Sequence, residues 1–97
     1  MNVIEGNQYI FQYEIKKTIA TINYLGVQKR YRNKGIASKV VADFIQKCRK
    51  KGIKTIKIDC HKNSIRFWDK MGFEINTEPQ IAWGVIQDYH DGILEIK

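Results

Sequence analysis

The sequence predicts an α/β (α+β) domain: a mixed sheet holding one parallel strand pair, a long crossover helix and a second, shorter helix. Three observations carry that expectation. Residues 36–48 place apolar side chains at helical spacing between two β-rich stretches, residues 18–27 and 53–60. A strand, an amphipathic crossover and a second strand make a right-handed parallel pair. Residues 9–15 alternate in polarity and lead through a short turn into residues 18–27, which adds an antiparallel neighbour. Ninety-seven residues with a single proline make one domain, residues 1–97, because a chain this size buries only about 60–65% of its unfolded surface and supports one core.

Each element has a local reason. In residues 9–15, Tyr9, Phe11, Tyr13 and Ile15 point one way, and Gln12 and Glu14 the other. Lys16 and Lys17 read as a tight turn into the longer strand at 18–27, where Gly26 breaks the pattern near the end. A glycine inside a strand marks a bulge or a point of close approach to the backbone. After the polar run 28–34, Gly35 opens a helix. Ile36, Ala37, Val40, Val41, Phe44, Ile45 and Cys48 form one stripe of it through about Lys51, roughly 25 Å in all. Gly52 is its left-handed stop. Residues 53–60 read as a strand with Ile56, Ile58 and Cys60 on one face. A shorter helix over 64–71 carries Ile65, Phe67, Trp68 and Met71, and Gly72 ends it. Phe73, Glu74 and Ile75 begin another strand, Pro79 interrupts, and residues 93–96 make the last one after Asp91 and Gly92. Residues 81–89 read as strand or ordered loop.

Composition narrows the function classes. No apolar run approaches the roughly 20 residues a membrane span needs. Residues 1–6 lack the basic stretch and apolar run of a signal peptide, so a cytoplasmic protein is expected. Cys48 and Cys60 show no metal-type spacing and are expected as free thiols. The net charge of +7 suits nucleic acid, an acidic protein surface or a polyanionic cofactor. Much of it falls on Lys47, Arg49, Lys50, Lys51, Lys54 and Lys57. That run reads as a solvated helix end offsetting the helix dipole, and not as a nucleic-acid patch.

The chemistry concentrates in Arg32-Asn33-Lys34-Gly35-Ile36-Ala37, between a strand and a long helix. The first amides of a helix have no partners within it, and its dipole adds about half a positive charge there. Gly35 permits close approach of an oxygen-rich group, and Arg32 and Lys34 add formal charge. In isolation, an ordinary basic turn before a helix is the better reading. The string resembles the Arg/Gln-x-x-Gly-x-Gly/Ala signature of the GNAT superfamily of N-acetyltransferases, and it follows a strand ending Leu25-Gly26-Val27. Downstream, the run from Asn63 to Glu74 (Asn-Ser-Ile-Arg-Phe-Trp-Asp-Lys-Met-Gly-Phe-Glu) is similar to the family's second segment, N-x-x-A-x-x-F/L-Y-x-x-x-G-F. Two ordered motifs one helix and one strand apart are far more specific than either alone. The resemblance covers roughly residues 9–77 and is to a short, N-terminally truncated form.

That resemblance implies a mostly antiparallel sheet whose central parallel strands splay apart to admit the pantetheine arm of acetyl-CoA. The backbones of Leu25 and Val27, with Gly26 between them, would pair with the arm. The pyrophosphate would sit on the amides of Arg32, Asn33, Lys34, Gly35, Ile36 and Ala37. Asn63, Ser64, Phe67 and Trp68 would flank the arm, although Phe67 reads better as core. The implied activity is N-acetyl transfer by direct attack of a primary amine on the thioester in a ternary complex, with no metal. An amine of pKa near 10.4 must lose its proton first, at a cost of about 4 kcal/mol at neutral pH. An amide at Leu25 or Val27 would hold the oxyanion.

The sequence departs from the family in three places. Trp68 stands where a tyrosine often serves as general acid, and an indole N–H is far too weak an acid to protonate a thiolate. Water or another group then does so, or the thiolate leaves unaided. The motif's asparagine is the second departure: counting back from Ser64 gives His61, whereas Asn63 is the nearest asparagine. The third is that only eight residues precede Tyr9, where the family has a strand and two helices that wall the acceptor pocket. An open pocket suits a protein lysine, or dimerisation that rebuilds the wall, so monomer and homodimer both stay open. For the general base, Glu14 and His61 are the candidates, each also readable as an ordinary solvent-facing strand or loop residue. Tyr24 and Cys60 are further options, Cys60 fitting better as a small buried hydrophobe. Asp88, Tyr89, His90 and Asp91 read as a turn or as part of the acceptor mouth. The competing function is an inactive module on the same fold, binding CoA, nucleic acid or a protein partner through its basic surface.

Overall fold

A computed structural model describes residues 2–6, 8–78 and 81–96; Met1 and Pro79 lie outside the described residues. In chain order the elements are β1 (Asn2–Glu5), β2 (Tyr9–Lys16), β3 (Ile19–Val27), α1 (Ile36–Lys50), β4 (Thr55–His61), α2 (Ile65–Lys70), β5 (Glu74–Ile75), β6 (Ile81–Ala82), β7 (Val85–Ile86) and β8 (Tyr89–Glu95). Single 3₁₀ turns, Lys29–Tyr31 and Lys62–Ser64, precede the two helices. The main sheet runs β1-β2-β3-β4-β8-β5, and β6-β7 is a separate hairpin. Among the described residues, only β3 and β4 pair in parallel, and α1 is their crossover. The expected class is the observed one.

The stripe on α1 explains why the sheet folds onto it. Val41, Phe44 and Cys48 are buried against Phe11, Tyr13, Ala20, Ile22, Ile56 and Ile58. Phe44 meets Phe11 edge-on at 5.0 Å between centroids and Tyr13 at 4.7 Å. Trp68 of α2 closes the other end of the core against Phe73. Gly52, at φ 78°, stops α1 as expected.

Four local expectations are revised or, where left open, resolved. Residues 2–5 were too few to show a period, yet they form β1 because the outer edge of β2 pairs with them from Asn2↔Tyr13 to Glu5↔Ile10. Residues 81–89 contain a hairpin turned by Trp83 (φ 57°) and Gly84 (φ 73°), two successive left-handed residues as a type I′ turn requires. The last strand begins at Tyr89 rather than 93, since β4 pairs with β8 along its full length from Thr55↔Glu95 to His61↔Tyr89. Tyr89, His90 and Asp91 are therefore strand, not turn. His90 is buried and donates from Nδ1 to the Asn76 carbonyl at 2.9 Å. Gly92 lies inside the strand, where a Cβ would stand 2.7 Å from Ile58 and 2.6 Å from Ile75.

The fourth change positions the site. Between β2 and β3, Gln12 pairs with Tyr24 but Tyr13 pairs with Ile22, so Asn23 is an extra residue. The bulge is there and not at Gly26, which pairs regularly with Ile10. Bulges bend a strand and re-aim its side chains. The parallel ladder runs from Ile19↔Thr55 to Ile22↔Ile58, directly before the bulge. Beyond it β3 keeps its pairing with β2, while β4 follows β8. The two central strands thus part at Asn23, and one backbone edge of β3 faces a wedge-shaped gap.

Cys48 and Cys60 are free and buried. Burial pushes both thiols above the ordinary thiol range; Lys51 and Lys47 oppose this at Cys48, and Asp59 adds to it at Cys60. Folded values above unfolded ones mean that the stability held by the neutral thiols is full below about pH 8.5 and is lost as pH rises through the folded values. At pH 8 a chromogenic disulfide reagent is expected to label neither thiol in native protein and both after denaturation. Rapid native labelling would contradict that placement.

Candidate functional site

The β3–α1 connection is built for unpaired donors. After the 3₁₀ turn the chain passes through Asn33 in a left-handed conformation (φ 63°) and then Gly35 (φ 79°), the N-cap residue of α1. Gly35 has no side chain to cap the helix, and no side-chain cap bond forms there. The amides of Ile36, Ala37 and Ser38 begin a 15-residue helix with no acidic residue in its first turn. They lie at the positive end of its dipole without partners inside it. A Cβ built on Gly35 would meet nothing within 4 Å, so the glycine is required by its φ and not by crowding. Arg32 folds back, its Nε donating to the Val27 carbonyl at 3.0 Å, which ties the loop to the end of β3.

These amides open into a groove of about 730 Å³ that follows the edge of β3 beyond the point where β3 and β4 part. Its walls are the edge of β3 (Leu25, Gly26, Val27), the loop and first turn of α1 (Arg32, Asn33, Gly35, Ile36, Ala37), the second 3₁₀ turn (Asn63, Ser64) and α2 (Phe67, Trp68). Twelve of the thirteen residues expected around a cofactor therefore meet in one place. Lys34 is not among those lining the groove. Phe67 and Trp68 stack edge-on at 5.0 Å, and Trp68 stacks on Phe73 at 5.3 Å, so Trp68 is a groove wall and a core residue at once.

Three lining residues were not singled out for the groove: Tyr24, Tyr31 and Ser38. Ser38 was legible as the third residue of the helix. Tyr31 lies in the 3₁₀ turn beneath the Arg30 guanidinium, 5.2 Å from its ring centre. Tyr24 owes its place to the bulge, which the glycine signal put near Gly26 and the strand register puts at Asn23.

Glu14 and His61 do not line the groove. Glu14 pairs with Thr21 on the zipped part of the sheet, two residues along from the Gln12–Tyr24 pair and so on the same face as Tyr24. The His61 Nδ1 accepts the Asn63 amide at 3.1 Å, and its ring meets Tyr89 edge-on at 5.3 Å. The Nδ1 lone pair of His61 is engaged in that cap. Cys60 is buried at 3% exposure and is not a groove residue. Lys62 and Asp88 form an exposed ion pair at 3.4 Å, of a kind that contributes little stability.

The model of the acetyltransferase (GNAT) family matches residues 3–73. The chain belongs to that family. Solved GNAT-like structures superimpose on nearly all of it. A Bacillus subtilis acetyltransferase in complex with CoA gives a TM-score of 0.73 at 19% identity, over 97% of this chain and 74% of that one. A GNAT family acetyltransferase from Elizabethkingia anophelis with acetyl-CoA bound gives 0.74 at 18% identity, over 95% and 72%. The ribosomal-protein-S18-alanine N-acetyltransferase of Escherichia coli gives 0.77 at 18%, over 92% of this GNAT chain but only 61% of its own length. Identities this low establish a shared fold. No curated protein sequence matches the chain. Among the described residues, no helix is long and apolar enough to cross a membrane.

Proposed function

We propose that the chain is an acetyl-CoA-dependent N-acetyltransferase acting on a primary amine, with a protein lysine as the candidate acceptor. The observation that carries this reading is the meeting of a free helix N-terminus with a strand edge left unpaired by the β3–β4 split. A diphosphate fits the first. A pantetheine arm, which carries two amides, fits the second. Both are substrate-binding features, and the groove joins them.

In this reading the amides of Asn33, Gly35, Ile36 and Ala37 hold the diphosphate, since the Arg32 amide already donates to the Lys29 carbonyl and Lys34 does not line the groove, and the Arg32 guanidinium closes the mouth. The β3 edge at Leu25 and Val27 orients the arm. The Val27 carbonyl is already engaged by Arg32, so its amide is the group left to pair. A backbone amide at Leu25 holds the developing oxyanion. Glu14, on the same face as Tyr24, relays the amine's proton through water; His61 serves only after surrendering its cap to Asn63. A carboxylate near an ammonium raises its proton affinity, so desolvation as the acceptor docks is what lowers it and lets the proton pass to the base.

The test incubates the protein with isotope-labelled acetyl-CoA and a lysine-rich polypeptide and reads acetyl-lysine by mass spectrometry. Transfer well above the buffer rate is expected, and Glu14→Gln is expected to lower turnover while leaving CoA affinity within about twofold. Failure to bind CoA by calorimetry would overturn the reading. CoA binding without transfer to any amine would instead favour the inactive module. Protein lysine is distinguished from small amines by running spermidine in parallel.

A further inference from the structure

Trp68 leaves the groove without an acid on α2, and the bulge supplies one on β3. Four lining residues carry a hydroxyl: Tyr24, Tyr31, Ser38 and Ser64. A serine hydroxyl is too weak an acid to yield its proton to a thiolate. Tyr31 sits at the loop end, with its ring under Arg30. Tyr24 is the residue immediately beyond the point where β3 and β4 part. It is half-exposed, at 54%, and its ring lies along the strand over Gly26.

That rotamer depends on Gly26. A Cβ there would stand 2.5 Å from the Tyr24 Oη and 2.8 Å from two ring carbons. Any other residue would expel the phenol from this position. Gly26 has no left-handed φ to justify a glycine, so the close approach of Tyr24 is what the structure uses it for. The sequence signal, a glycine breaking a strand, thus marks where a phenol lies on the backbone.

We propose that the Tyr24 hydroxyl is the proton donor to the leaving thiolate. This deepens the acetyl-transfer reading and rests on it. If the Leu25 amide holds the oxyanion, the sulfur lies toward Gly26, beneath the phenol. As the amine nitrogen bonds to the carbonyl carbon, the carbon–sulfur bond breaks and its electron pair leaves on sulfur. The Tyr24 O–H proton passes to that sulfur, giving the free thiol. The phenolate regains a proton from solvent, which has taken the one lost by the amine. Atoms and charge balance without a further reagent.

The experiment compares wild type, Tyr24→Phe and Gly26→Ala, with hydroxylamine as the acceptor because it is neutral at pH 7 and needs no base. Thiol release is followed with a chromogenic disulfide, and CoA affinity by calorimetry. Tyr24→Phe is expected to lower kcat about tenfold to a hundredfold at neutral pH. Its CoA affinity should stay within about twofold of wild type. The defect should narrow as pH rises, because a phenolate has no proton to give. Gly26→Ala, which puts a methyl where the hydroxyl lies, should show the same pH-dependent loss with the tyrosine still present. A Tyr24→Phe enzyme within twofold of wild-type kcat across pH overturns the proposal. So does a wild-type protein that binds CoA but releases no thiol above buffer. Absence of CoA binding in all three proteins instead removes the reading beneath it.

Discussion

Replacing Gly35 with glutamate is expected to weaken CoA binding by about two orders of magnitude or more while the protein stays folded. Two effects combine. A non-glycine residue held at φ 79° costs about 1–2 kcal/mol. The larger effect is electrostatic: the position is open, so the new carboxylate projects without a clash into the groove that the diphosphate would enter. It would also offer the free amides of α1 an intramolecular anion. Gly35→Ala separates the two, since it carries the backbone strain without the charge. Alanine should lose stability to a similar degree and keep most of the affinity. Calorimetry with CoA and a denaturant titration on both variants check this. Equal affinities for glutamate and wild type would remove the cradle from the account.

Phe44→Ala is expected to be strongly destabilising, by about 3–5 kcal/mol. Phe44 is 4% exposed and touches Phe11 and Tyr13 with its ring, so it fastens α1 onto the β2–β3 hairpin. Domains of this size hold about 5–15 kcal/mol in total, so the loss is a large share of it. Each kcal/mol shifts the midpoint of a domain this small by about 4–8 °C. The helix that Phe44 anchors is also the one whose first turn faces the groove. CoA affinity should therefore fall near the lowered midpoint and recover on cooling. A midpoint within a few degrees of wild type would show that α1 is held by other contacts.

The parts of this fold that were legible share one property: a long repeat in a short window. The stripe from Ile36 to Cys48 could be only a helix, and the alternation from Tyr9 to Ile15 only a strand with one face buried. What the residues could not show was pairing. Asn2 to Glu5 is a strand because β2 offers an edge, and Tyr89 to Asp91 is strand because β4 runs beside it. The bulge at Asn23 is a property of two strands in register, and neither strand's composition contains it.

The same division holds in the site. Arg32 to Ala37 was legible because a strand, a glycine and an amphipathic helix in that order leave amides unpaired. Lys34 was drawn in by its charge and by its place in the run of loop amides, neither of which says whether the residue lines the groove. Tyr24 was passed over as a groove residue because its orientation follows from Asn23 and Gly26 together. His61 looked free in the sequence but caps the Asn63 amide, a bond that only the geometry of the 3₁₀ turn creates.

The central claim is that the unpaired amides opening α1 receive a diphosphate. Proton–nitrogen correlation spectra of labelled protein, titrated with CoA, test it most directly. Large saturable shifts are expected at Gly35, Ile36, Ala37 and Ser38, with smaller ones at Leu25 and Val27. Silent amides there, with shifts confined to the basic end at Lys16, Lys17, Lys50, Lys51 and Lys54, would contradict it.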